Sequence, residues 1–223
     1  MKLRLPVLIV NLKEYDEALG NSPLKFAQAA KRLSNKHNVT ILIAPPDPFI
    51  DNTAEITLTL SQHLDPFEPG AHTGALLAKE VKELGAIGSL INHSEKRIPL
   101  DDINKCVDLC KEYELVSVVC VQSCEEAEEL AISEPDFIAI EPPELIGGDI
   151  SVSSAKPEII KSSVECVKKV SPDTEVLCGA GVKSKEDVKK AIELGARGIL
   201  VASGVVKSTD IENAMEELIE GMI

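Results

Sequence analysis

The sequence predicts an α/β protein in which eight parallel strands, each followed by a helix, close into a single-domain (βα)8 barrel with shortened helices. Three observations carry this. Eight short apolar runs alternate with amphipathic stretches along the chain. The runs are unbroken rather than alternating, as strands covered on both faces require. The count of eight favours closure over an open doubly wound sheet, and the first turn lacks both G-x-G-x-x-G and a P-loop.

The runs occupy residues 5–10, 39–44, 56–60, 86–91, 115–121, 137–140, 175–178 and 198–202. The first is preceded by Lys2 and Arg4, but it is too short for a signal h-region and is read as a buried strand. Ser22-Pro23 reads as an N-cap followed by proline at the first helical position. The crossover around Thr53 is only weakly helical. Gly85 ends a helix carrying Leu77, Val81 and Leu84. Ile103, Val107 and Cys110 form one apolar stripe, and Ile211, Met215 and Leu218 another. Ser184 and Asp187 have capping-box spacing, with Gly195 stopping that helix. At 223 residues the chain is short for a barrel of typically ~250, so helices are trimmed, and residues 1–223 are taken as one domain.

Charge narrows the function. A formal net charge of −14 opposes non-specific nucleic-acid binding and acidic membrane surfaces. An anionic ligand therefore needs a locally positive site, from a lysine or from backbone N–H groups. The six cysteines, Cys106, Cys110, Cys120, Cys124, Cys166 and Cys178, read as reduced thiols of a cytoplasmic protein, with core packing preferred to metal for the C-x3-C pairs. Neither a metal nor a cofactor is expected.

In such barrels chemistry sits at the carboxyl ends of the strands. Asn11-Leu12-Lys13 follows the first run, Asn92-His93-Ser94-Glu95 the fourth and Glu141-Pro142-Pro143 the sixth. Glu141 closes an apolar run, where desolvation raises a carboxyl pKa and makes a base usable near neutrality. His93 ends a second buried run. Lys13 can turn into the barrel mouth and supply positive charge. His63 and His72, after the third run, and His37, at a helix end, carry no such signal. The turns Gly147-Gly148, Gly179-Ala180-Gly181 and Ala202-Ser203-Gly204 follow the last three strands, where barrels bind phosphate. Residues 141–150 read as a lid, stiff at its prolines and free at its glycines.

Together these residues resemble the triosephosphate isomerase family along nearly the whole chain, and hence its TIM barrel. The motifs are Asn11-Leu12-Lys13, residues 88–97 around Asn92-His93-Ser94-Glu95, Ile140-Glu141-Pro142, and the subunit-contact loop 68–74. The compact helices, Cys178-Gly179-Ala180-Gly181 and Ala202-Ser203-Gly204 look like the archaeal branch. The resemblance implies interconversion of D-glyceraldehyde 3-phosphate and dihydroxyacetone phosphate through an enediolate, in glycolysis and gluconeogenesis. It implies Glu141 as base with a neutral His93 as electrophile, a pairing for which this family is itself the standard example; a helix start after His93 is expected to hold it neutral. Lys13 and Asn11 would hold the substrate oxygens, and Glu95 would fix Lys13. Ile146, Gly147, Gly181, Ala202 and Ser203 would grip the phosphate. Asp149 would point outward or cap the next helix. Thr73 would reach a neighbouring subunit's site in a homotetramer, or a dimer. The alternatives are another phosphate-binding barrel isomerase or epimerase, and a non-catalytic phosphometabolite-binding barrel.

Overall fold

A computed structural model describes residues 3–142, 153 and 156–223. The lid residues Ile146, Gly147 and Asp149 lie outside the described residues. Eight parallel strands close in sequence order, β8 pairing with β1. The strands are β1 (Val7–Asn11), β2 (Thr40–Ala44), β3 (Leu58–Ser61), β4 (Gly88–Ile91), β5 (Val116–Val121), β6 (Phe137–Ile140), β7 (Glu175–Cys178) and β8 (Gly198–Val201). The helices between and after them are α1 (Ser22–His37), α2 (Ile50–Ala54), α3 (Ala78–Glu83), α4 (Leu100–Glu112), α5 (Cys124–Ala131), α6 (Pro157–Val170), α7 (Lys185–Glu193), α8 (Ser203–Val206) and α9 (Ile211–Glu220). No helix among the described residues is long and apolar enough to cross a membrane.

The unbroken runs have a simple cause. Side chains alternate sides along a strand, and both sides here are buried. Val7, Ile9, Leu42, Leu60, Leu90, Val118, Ala139 and Leu200 fill the barrel interior. Their neighbours Leu8, Val10, Ile41 and Ile43 pack outward against α1, α7 and α9, while Ile91, Val119 and Ile138 pack outward against α4 and α5. With so few aromatic residues, both layers are aliphatic.

Element boundaries moved where backbone hydrogen bonds dictate. β1 starts at Val7, past Pro6, which has no N–H for the ladder. β3 starts at Leu58 because the Ile56 and Thr57 amides both donate to the Thr53 carbonyl, completing α2. The N-cap of α1 is Asn21, not Ser22. The Ser22 amide already closes a turn onto the Leu19 carbonyl, so Ser22 enters the first helical turn beside Pro23. The Ser184–Asp187 capping box forms in full, and Gly195 stops α7 at φ +104°, where a Cβ is disfavoured.

Candidate active site

The period of two that buries the strands also aims their last residues. In β6, Phe137 and Ala139 face the interior, so Glu141, two residues on, faces it too. In β1, Val7 and Ile9 do the same for Asn11. These side chains line one cavity at the carboxyl mouth of the barrel, together with Lys13, His93, Gly181 and Ser203.

Glu141 is 4% exposed, and its Oε2 has no hydrogen-bond partner among the described residues. Burial pushes its carboxyl up to about 7, against opposing pulls from the Cys120 thiol and the Lys13 charge. His93 Nε2 lies 3.7 Å from Glu141 Oε1. The other ring nitrogen, Nδ1, accepts the Glu95 backbone N–H at 3.2 Å, which assigns the proton to Nε2, on the Glu141 side. Burial first, and then Lys13, lowers the His93 pKa to about 4. The imidazole is therefore neutral at pH 7. The expected cause is corrected: no helix starts behind His93, since α4 begins only at Leu100. Desolvation and the lysine do the work, and a single turn amide fixes the tautomer.

Lys13 adopts φ +49°, its amide donating to Asn11 Oδ1 at 3.0 Å in an Asx turn. Leu12 between them is fully buried in the outer layer. The chain thus anchors on Leu12 and swings Lys13 back over the mouth, where Nζ meets Glu95 Oε1 at 2.8 Å. Gln62 Nε2 donates to the Lys13 and Ala44 carbonyls, both at 3.2 Å, and so ties the β1 and β2 ends together.

Of the expected phosphate-gripping residues, Gly181, Ala202 and Ser203 line the same cavity, and Ser203 opens α8. Gly179 has a different task from the one its turn suggested. A Cβ there would stand 2.7 Å from Glu141 Cγ, so its missing side chain makes room for the carboxylate at the wall of the same cavity. Thr73 is exposed in the loop after β3 and does not line this chain's own cavity. That loop is held by the stacked rings of Phe67 and His72, 4.3 Å apart, and by the Leu76 amide on Asp65 Oδ2.

Three positioning residues had not been singled out. Asn92, fully buried at φ +62°, donates to the Cys120 carbonyl and accepts the Ile98 amide, bridging two strand ends beside His93. An apolar run ending in Asn was the available signal. Glu126 pairs with Arg97 and accepts the Gln122 amide. Tyr15 lines the cavity and lies under Lys207 Nζ, 4.5 Å from the ring centroid. His63, read blandly from sequence, is buried beside Asp65 and has its pKa lowered by burial.

A carboxylate raised toward neutrality, a neutral imidazole and a lysine at the mouth of a closed barrel define a (βα)8 enzyme equipped for acid–base chemistry on an anionic substrate. The family model for triosephosphate isomerase matches residues 6–220. The triosephosphate isomerases of Methanothermus fervidus, Methanosarcina barkeri and Methanocaldococcus jannaschii are 46%, 44% and 43% identical, over 97%, 96% and 96% of this chain and 99%, 98% and 99% of theirs. The chain belongs to the triosephosphate isomerase family.

Proposed function

We propose that this protein interconverts D-glyceraldehyde 3-phosphate and dihydroxyacetone phosphate, with Glu141 as the base. The observation that carries the reading is the 3.7 Å approach of Glu141 Oε1 to His93 Nε2 inside a cavity that also holds Lys13. The Glu141 carboxylate takes a proton from the carbon beside the substrate carbonyl, while the His93 Nε2–H polarises the carbonyl oxygen. The pair of electrons left on carbon moves into an enediolate, and His93 carries the hydroxyl proton from one substrate oxygen to the other. Glu141 returns its proton to the neighbouring carbon as the deprotonated oxygen becomes the new carbonyl. Lys13 offsets the oxyanion charge beside the buried Glu141 and His93, where one cation acts more strongly than in water. Asn11, whose Oδ1 is committed to the Lys13 amide, offers Nδ2 to a substrate oxygen. Gly181, Ala202 and Ser203 hold the phosphate, with Ile146 and Gly147 of the lid completing the grip.

The protein serves glycolysis and gluconeogenesis in the cytoplasm and forms one catalytic domain. It self-associates as a homotetramer. In support, the stacked loop carrying Thr73 is exposed, and a second cavity beside Asn11 and His93, lined by Glu14, Asp47, His63 and Lys96, opens next to the site and could receive such a loop. Light scattering across a dilution series tests this: a monomer at all concentrations refutes it, and a dimer corrects the stoichiometry.

Turnover of the two triose phosphates, followed in a coupled assay without added metal, tests the activity. Retained phosphate-analogue binding without turnover would leave a non-catalytic binding barrel. Turnover of another sugar phosphate alone would point to a different isomerase or epimerase.

A further inference from the structure

Four of the six cysteines are buried, Cys106 and Cys110 in α4 and Cys120 and Cys178 in β5 and β7. The other two, Cys124 and Cys166, are partly exposed and meet each other. Their Sγ atoms are in contact at 2.8 Å, about 0.75 Å longer than the ~2.05 Å of a disulfide bond. They stand 42 positions apart in sequence, so no spacing rule pairs them. The fold does. Cys124 opens α5 directly after its N-cap, Ser123, and Cys166 lies within α6, the helix packed alongside α5.

The two thiols differ in setting. Cys166 Sγ also reaches the Cys124 and Ser163 carbonyls, each at 3.4 Å. Burial and then the neighbouring thiol push its pKa up to about 12. Cys166 is therefore the resolving thiol of the pair, with Cys124 attacking first. Cys124 sits in the first turn of α5.

We propose that Cys124 and Cys166 are a redox-active dithiol, oxidised to an α5–α6 disulfide by exchange with a disulfide. The Cys124 thiolate attacks one sulfur of the external disulfide, forming a mixed disulfide and expelling one thiolate. Cys166 then gives up its proton, attacks Cys124 Sγ and expels the second thiolate. The protein loses two electrons and two protons, and the external disulfide becomes two thiols. The bond closes a loop containing β6 and Glu141, tying together the helices before and after the strand that ends in the proposed base. The inference stands on the thiol geometry alone and does not depend on the isomerase reading.

The test uses the full reduced chain with glutathione disulfide, followed by alkylation of the remaining thiols and peptide mass spectrometry. The expected product is one cross-linked peptide pair carrying Cys124 and Cys166, lighter by two hydrogens, with Cys106, Cys110, Cys120 and Cys178 alkylated. Cys124→Ser and Cys166→Ser should each abolish that cross-link, whereas Cys106→Ser should not. The oxidised chain should melt higher by roughly 5–10 °C, because the bond restricts the unfolded chain. A stable glutathione adduct on Cys124 with Cys166 free would overturn the proposal. So would a cross-link through any other cysteine, no reaction at all, or an oxidised chain that melts no higher. Running the same reaction in urea, where mixed pairings are expected, shows that the single pairing comes from the fold.

Discussion

Gly179 and Glu141 occupy adjacent strand ends so closely that a single methyl group on residue 179 would stand 2.7 Å from Glu141 Cγ and 3.3 Å from its Cδ and Oε1. The carboxylate owes its position to a missing side chain on β7 as much as to its own strand. Gly179→Ala is therefore expected to displace Glu141 rather than unfold the barrel. Misplacing a reacting group by about 1 Å costs on the order of 10²-fold in kcat, with KM changed far less. Steady-state kinetics alongside thermal melting check this; activity within twofold of the parent would show that Glu141 tolerates the crowding.

Glu141→Gln should lower kcat by about 10²- to 10⁴-fold, the range for loss of a general base, and leave phosphate-analogue binding largely intact. More than a tenth of the activity remaining excludes Glu141 as the base. The same variant has a stability signature. The folded pKa of about 7 lies above the ordinary 4.5, so this group's contribution to stability is full below pH 4.5 and is lost as pH rises through 7. Its loss amounts to about 3 kcal/mol at ~1.36 kcal/mol per pH unit. Glutamine escapes it. Urea melts from pH 4.5 to 8 should show the variant gaining on the parent by about that amount, and parallel curves would refute the burial argument.

His93 should remain neutral, with its proton on Nε2, at every pH above about 5. Imidazole ¹⁵N chemical shifts read both the tautomer and the titration. Lys13→Met removes the second cause of the depressed pKa but not the first, which is burial. Its His93 should titrate at higher pH than the parent's while staying below the ordinary 6.5. An unmoved midpoint would mean that Lys13 exerts no field on the ring.

Asn92→Ala is expected to destabilise the chain by about 2–3 kcal/mol, since the Cys120 carbonyl and Ile98 amide lose a buried partner and alanine is strained at φ +62°. Asn92→Gly removes the same hydrogen bonds without the strain, so it should be milder by about 1 kcal/mol. Both should reduce kcat, because residue 92 sets the turn that carries His93. A difference in the opposite order would show that the left-handed backbone costs nothing here.

Much of this was legible because strands and caps are local. Apolar runs marked all eight strands to within two residues, and the Ser184–Asp187 spacing gave a complete capping box. Glu141, His93 and Lys13 could be singled out because each follows a buried run. Strand period faces Glu141 inward, whereas His93, on the parity of outward-packed Ile91, reaches the cavity through the left-handed turn at Asn92. Boundaries failed where one hydrogen bond outweighed propensity, as at Ser22 and at Ile56.

What the sequence determined by itself was the aliphatic, strand–helix alternation that has no stable solution but a covered parallel sheet, and the residue types delivered to its carboxyl edge. Tertiary structure decided everything that depends on distance between remote positions. It set the burial that raises Glu141 and lowers His93, the void at Gly179 reserved for a carboxylate 38 residues earlier, and the meeting of Cys124 with Cys166. Desolvation and close contact arise between elements, and no local pattern in the chain records which elements become neighbours.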